Sequence, residues 1–139
     1  MSFLLDTNVV SEWVRPHPNA GVITWLDEID EDRTFLSVVS VTELRYGIER
    51  LPAGKRRTRL HQWATHELPL RFEGRILLVD PIVADRCGQV MARSEAMGRP
   101  MEVMDAYIAA AAEIYRLTVV TRNVSDFEPV LKAVLNPWT

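Results

Sequence analysis

Short apolar runs alternate along this chain with longer segments in which apolar residues recur every three to four positions. Phe3-Leu4-Leu5 predicts a first strand. A helix beginning near Thr7 must end before Pro16, and Pro18 marks the turn beyond it. Val22, Trp25, Leu26 and Ile29 trace one face of a second helix, and Thr34 to Val38 predicts a second strand. Ser40-Val41-Thr42-Glu43 has the form of a capping box opening a third helix. Leu60, Trp63 and Ala64 anchor the next helix, and Ile76 to Val79 predicts another strand. Asp80-Pro81 then opens a long helix that Gly98 stops. Asp105 to Tyr115 predicts an Ala-rich helix, Thr118 to Thr121 a β-branched strand, and Val134-Leu135 a short last one.

Strands without polar alternation are buried on both faces. With helices between them they predict an α/β fold, a parallel sheet covered on both sides. Ligand sites in such sheets lie beyond the carboxyl ends of the strands. That singles out Asp6-Thr7-Asn8 after the first strand and Arg122-Asn123 after the strand ending near Thr121.

A length of 139 residues, with 47% hydrophobic and 25% charged, suits one globular domain over 1–139 and excludes a disordered chain. The lone Cys87 excludes an internal disulfide and fits a reducing, cytoplasmic setting. Its helical register with Val83, Val90 and Met91 reads as core. The apolar run before Asp6 is too short for a signal peptide, and no membrane segment is expected. The net charge of −3 hides a segregation. Lys55, Arg56, Arg57 and Arg59 stand together, while the remaining basic residues are outnumbered by the 19 acidic ones. Such a run reads as a solvated helix face or as a contact for RNA phosphate. Trp13, Trp25 and Trp63 read as core residues, not stacking platforms.

Each candidate acid has a plain structural reading. Asp6 can cap the helix after the first strand, Glu43 can close a capping box, Asp105 suits a first helical turn, and Asp126 can cap a Ser-Asp-Phe turn. Their combined placement favours chemistry. Asp6, Glu43 and Asp105 sit at starts of elements, where this fold puts its crevice. Gathered there they repel one another, and a hard divalent cation such as Mg²⁺ resolves the repulsion through carboxylate oxygens and water. His17, His61 and His66 are scattered, no Cys pair exists, and no glycine-rich phosphate loop appears.

At these positions the chain resembles the VapC/FitB-like PIN-domain ribonuclease toxins. The resemblance rests on Leu4-Leu5-Asp6-Thr7-Asn8, Val41-Thr42-Glu43-Leu44 with Tyr46-Gly47, and Asp105-Ala106-Tyr107-Ile108-Ala109-Ala110. It continues in Val120-Thr121-Arg122-Asn123 with Asp126-Phe127 and in the closing Leu135-Asn136-Pro137-Trp138. The blocks span the chain in the family's order. The resemblance implies a PIN fold, a four- to five-stranded parallel sheet flanked by helices. It implies an endoribonuclease dependent on Mg²⁺, with Mn²⁺ as a substitute, that belongs to a type II toxin–antitoxin pair.

By position, Asp6, Glu43 and Asp105 then correspond to metal-site acids, Asp6 and Asp105 as direct ligands and Glu43 often through water. Thr7 and Asn8 correspond to supporting polar residues, and Thr121 to a hydroxyl that holds the acidic pocket. Many relatives carry Asp where this chain has Asn123; Asp126, three residues on, is the available substitute in the catalytic set. The implied partners are an RNA substrate, a cognate antitoxin lying across the crevice, and a second copy of the chain. Apolar residues on the Val22 to Ile29 and Leu60 to Ala64 helices would supply that homodimer surface.

Two other readings compete. A haloacid-dehalogenase-type phosphatase also begins with a strand and an Asp, but needs a second Asp where Asn8 stands. A catalytically inactive PIN-like module that only binds RNA or protein would gain nothing from clustered negative charge.

Overall fold

Five strands, Phe3–Leu5 (β1), Thr34–Ser37 (β2), Ile76–Leu77 (β3), Thr118–Val120 (β4) and Val134–Leu135 (β5), form one sheet in the computed structural model, which describes residues 1–139. Every pairing is parallel and the spatial order is β3-β2-β1-β4-β5. The chain winds outward from β1 through β2 to β3, then returns to the other side of β1 as β4. The switch point therefore lies between β1 and β4, where this class of sheet opens its crevice. Eight helices connect the strands: Thr7–Val10 (α1), Ala20–Glu28 (α2), Val38–Glu49 (α3), Lys55–Gln62 (α4), Leu68–Arg71 (α5), Pro81–Ala96 (α6), Val103–Tyr115 (α7) and Val124–Phe127 (α8).

Successive strand residues point to opposite faces, and the core divides accordingly. Leu4 and Val119 face one cluster, with Val83, Cys87 and Val90 of α6 and the Ala106, Ala109, Ala110 row of α7. Phe3, Leu5, Leu36 and Val120 face the other, with Val9, Val10, Val22, Leu44, Trp63 and Phe72. The alanines let α7 lie close to the sheet, which carries its first turn to the crevice. Cys87 is buried in this core, as its register predicts.

The structure trims several predicted elements. The first helix is four residues long and tightens into a 3₁₀ turn over Ser11–Val14 before Pro16. The basic helix continues through a π-helical turn, Trp63–Glu67, into α5, which keeps Trp63, Leu68 and Phe72 on the core side. β3 stops at Leu77, and Leu78 and Val79 are exposed beyond it. The long helix ends at Ala96, and Gly98 supplies the left-handed residue after it at φ 73°. The expected homodimer surface is corrected. Val22, Leu26, Leu60 and Trp63 are buried in this chain's own core, with Trp25, Ile29 and Ala64 packed against the same cluster, so neither helix offers a free apolar face. Of the tryptophans, Trp63 is buried, Trp25 meets Phe3 edge-on, and Trp13 lies beneath the Arg71 guanidinium.

The capping box at Ser40 is also corrected. α3 starts at Val38, and its cap is Ser37, whose hydroxyl accepts from Val39 N at 3.0 Å. Ser40 lies inside the helix, fully buried, with its hydroxyl unpartnered. Glu43 is thus a mid-helix residue with no capping duty. Ser40→Ala should leave stability unchanged or raise it by up to about 1 kcal/mol, since it removes an unsatisfied buried group. Ser37→Ala should lower it by about 1 kcal/mol. Chemical denaturation of both variants checks the assignment; a larger loss at Ser40 than at Ser37 would restore the capping box.

Candidate active site

The site begins where β1 and β4 end. Leu5 pairs with Val120, so the next residues of the two strands, Asp6 and Thr121, come out side by side. Asp6 N donates to Val120 O at 2.9 Å, extending the ladder by one bond. Both residues are buried. The Thr121 hydroxyl donates to Asp6 Oδ2 at 2.8 Å and accepts from Asn123 N at 3.0 Å and Asn8 Nδ2 at 3.4 Å. One donor and two acceptor positions are all a hydroxyl has, so Thr121 is fully used. Thr121 and Asn123 are in this way part of one network.

Thr7 and Asn8 hold the acids from the start of α1. Thr7 N donates to Asp6 Oδ1 at 2.8 Å, and the Thr7 hydroxyl donates to Glu43 Oε1 at 2.9 Å. Asn8 Nδ2 also reaches Asp6 Oδ2 at 3.3 Å, while its carbonyl oxygen accepts from Arg122 N at 3.3 Å. Asp6 therefore caps α1 with one oxygen and keeps the other in the Thr121–Asn8 clasp. Cap and site member are the same residue.

The other acids arrive from three separate helices. Glu43 is half-buried on α3 beside the buried Leu44. Asp105 is half-buried in the first turn of α7, which starts two residues earlier than the sequence suggests. Its cap is Glu102, whose carboxylate accepts from Met104 N at 3.1 Å. Asp126 lies in the first turn of α8, exposed; the cap position belongs to Asn123, which makes no side-chain capping bond. The turn reading of Asp126 thus loses its hydrogen bond, and its charge is directed at Asp6 and Asp105.

Sequence reasoning missed Glu102. It stands three residues before Asp105, which places two acids on one helical face. The signal is hidden because a helix that begins at Asp105 itself leaves Glu102 outside it.

The electrostatics record the crowding. Burial, then the charges of Asp6, Asp126, Glu102 and Glu43, pushes the Asp105 carboxyl up to about 7. Burial also raises Asp6, against the hydrogen bonds from Thr121, Thr7 and Asn8, with Asp126 adding repulsion. Glu43 is raised by burial and by Asp6 and Glu102, against the Thr7 hydrogen bond. None of these five acids takes part in a salt bridge, although six ion pairs form elsewhere. Oxygen donors without a cation suit a hard divalent ion. As placed, no three of them converge in ligating geometry, so the acids border a shared space that side-chain rotation must close.

Two cavities open onto these acids. One of about 440 Å³ is lined by Thr7, Asn8 and Glu43 and by apolar residues of α3 and α4. The other, about 390 Å³, is lined by Glu102, Asp105, Ser125 and Asp126. The basic run does not form one surface. Arg56 lines the first cavity, Arg57 pairs with Glu49 at 2.7 Å, Arg59 borders a separate hollow with Trp63 and Glu67, and Lys55 is exposed.

The raised Asp105 makes a pH prediction. The folded chain holds a proton that the unfolded chain releases between about pH 4 and pH 7, so stability falls as pH rises through that window. Asp105→Asn removes the cost. With chelator present, its melting temperature should match the parent near pH 4 and exceed it near pH 8, by about 3 °C per kcal/mol released. Thermal scans at both pH values check this; an equal difference at both would show that Asp105 is not the titrating group.

Comparison with known proteins gives the family. The PIN domain family model matches residues 3–128. Toxin FitB of Neisseria gonorrhoeae is 41% identical over 135 residues, covering 97% of each chain. VapC ribonuclease Y4jK of Sinorhizobium fredii is 36% identical over 97% of this chain and 96% of its own. The structure of FitAB bound to an IR36 DNA fragment superposes with a TM-score of 0.92 at 39% identity, covering 99% of this chain and 96% of that one. With the parallel sheet, the switch-point acids and these matches together, this chain belongs to the PIN-domain family.

Proposed function

We propose that this chain is a Mg²⁺-dependent endoribonuclease, the toxin of a VapBC-type toxin–antitoxin pair acting in the cytoplasm. The observation that carries the reading is the group of carboxylates at the β1–β4 switch point, buried or crowded and without a cationic partner. The relatives named toxin and VapC ribonuclease support it across nearly the whole chain. No helix is long and apolar enough to cross a membrane.

In this reading Asp6 and Asp105 would hold the ion directly and Glu43 through water, and Mn²⁺ could replace Mg²⁺. When bound, the ion supplies an activated water and neutralises charge on the phosphodiester. The chain's own residues do the rest. Thr121 and Asn8 fix the rotamer of Asp6, and Thr7 ties Glu43 to the same backbone turn. Asp105, desolvated and crowded by its neighbours, holds its proton up to about pH 7 and would have to lose it to act as a ligand. The acidic crevice also defines how the antitoxin acts. A basic side chain laid across it would satisfy the same carboxylates and block RNA.

Asp105→Asn keeps shape and removes charge. It should cut RNA cleavage by roughly a hundredfold or more, about 3 kcal/mol of transition-state stabilisation. Glu43→Gln keeps the helix and can still accept from Thr7, so a large loss of activity at an unchanged melting temperature is expected. Wild-type cleavage by either variant in Mg²⁺ would overturn the mechanism, and chelator should silence the parent chain.

Asp126 and Asn123 are separated by a metal titration. In this reading Asp126 supplies the fourth charge, so Asp126→Asn should raise the Mg²⁺ concentration for half-maximal rate by about tenfold. That shift corresponds to the loss of about 1.4 kcal/mol of binding. Asn123→Asp should lower it. An unchanged Mg²⁺ dependence in Asp126→Asn would remove it from the site.

A further inference from the structure

The acidic crevice must receive a polyanion, and its immediate wall is negative. The first of the two cavities on that crevice carries Arg15, which is paired with Glu12 at 3.1 Å, and Arg56; the second carries Arg99. Arg56 lines the first, with Thr7, Asn8 and Glu43, and takes part in no ion pair. Arg99 lines the second, with Glu102, Asp105 and Asp126; it is held in place by donating one N–H to Ser125 O at 3.0 Å and likewise has no carboxylate partner. The cavities share no lining residue, yet each ends on acids of the same group, and Glu43 of one is coupled electrostatically to Glu102 of the other. Asp6 adjoins both: it directly precedes Thr7 and Asn8 of the first, and its charge raises Asp105 of the second. The first cavity also has an apolar floor of Val14, Leu44, Ile48 and Leu60, beside the polar groups of Asn8 and Ser11. That is the mixture a nucleobase takes, with the ring on apolar side chains and its edge on polar ones.

We propose that Arg56 and Arg99 are the phosphate-binding residues on the two banks of the crevice. A single RNA strand passes from one cavity to the other over Asp6, with a nucleotide seated in the Arg56 cavity. The inference rests on the ribonuclease reading and adds the path of the substrate. It also divides the basic run: Arg56 contacts substrate, whereas Arg57 is neutralised by Glu49 and Arg59 faces another hollow. A guanidinium contact to phosphate releases condensed counterions, so it is legible in the salt dependence of binding.

The test uses fluorescein-labelled single-stranded RNA of mixed sequence. Anisotropy is read in an Asp105→Asn background to separate binding from cleavage, and kcat/KM is read in the parent chain with Mg²⁺. Arg56→Gln and Arg99→Gln should each flatten the slope of log affinity against log salt by about 0.7, a loss of roughly fivefold at 0.1 M salt. Each should raise KM more than it lowers kcat. Arg56→Lys and Arg99→Lys, which keep the charge, should restore most of the slope, and exposed Lys132→Gln should leave it unchanged. Unchanged slopes in both Gln variants, with cleavage intact in the parent, would overturn the path and leave the ribonuclease reading standing. A change at one bank alone overturns the crossing. A parent chain that neither binds nor cleaves RNA would overturn both.

Discussion

The hydrogen bond from Thr121 to Asp6 joins the ends of two parallel strands at the point where the strand order reverses, and the site is assembled outward from it. A buried carboxylate is costly unless its oxygens are satisfied. The β1–β4 register offsets part of that cost with a hydroxyl, an amide and a backbone N–H, all supplied by residues close to the two strand ends. The pairing of Leu5 with Val120 thus sets more than the sheet. A slip of one residue would turn every side chain to the opposite face and remove Thr121 from Asp6.

The remaining acids are less well compensated. Asp105 and Glu43 receive opposing charge from no side chain, and both are raised by burial and mutual repulsion. Stability is given up locally where the two large core clusters can absorb the loss. The helices that deliver the acids are anchored on both sides of the sheet: α3 by Leu44 in one core cluster, α7 by its alanine row and α8 by Phe127 in the other. Because those anchors are apolar and lie away from the carboxylates, removal of one charge should leave the other acids in place.

Much of this was legible because strand ends and apolar periodicity are local properties. Leu4-Leu5 followed by Asp6, and Val120 followed by Thr121, announce a buried parallel strand and the residue just past it. What the sequence obscured was the exact start of each helix. Ser37 and Ser40 both offer a hydroxyl three to six residues before Glu43, and pattern alone favours Ser40. Tertiary packing instead buries Ser40 and gives the cap to Ser37. Glu102 was lost to the same uncertainty at α7. The basic run misled differently: adjacent residues on a helix point about 100° apart, so four neighbouring charges reach different surfaces.

Asn8 separates this site from a phosphatase built on a similar strand and aspartate. There, the residue two positions after the first acid carries a second carboxylate that exchanges protons with substrate. Here the Asn8 amide donates to Asp6 Oδ2 and to the Thr121 hydroxyl, and its carbonyl oxygen accepts from Arg122 N. An aspartate in that place could still accept from Arg122 but would donate nothing, and would set a second charge against Asp6. Both groups of the amide are already engaged, so Asn8 acts as a clamp and has no free atom for proton transfer. The charge that Asp6 keeps acts instead on Asp105 and Glu43, whose carboxyls it helps to raise, and there a cation or a proton lowers the repulsion.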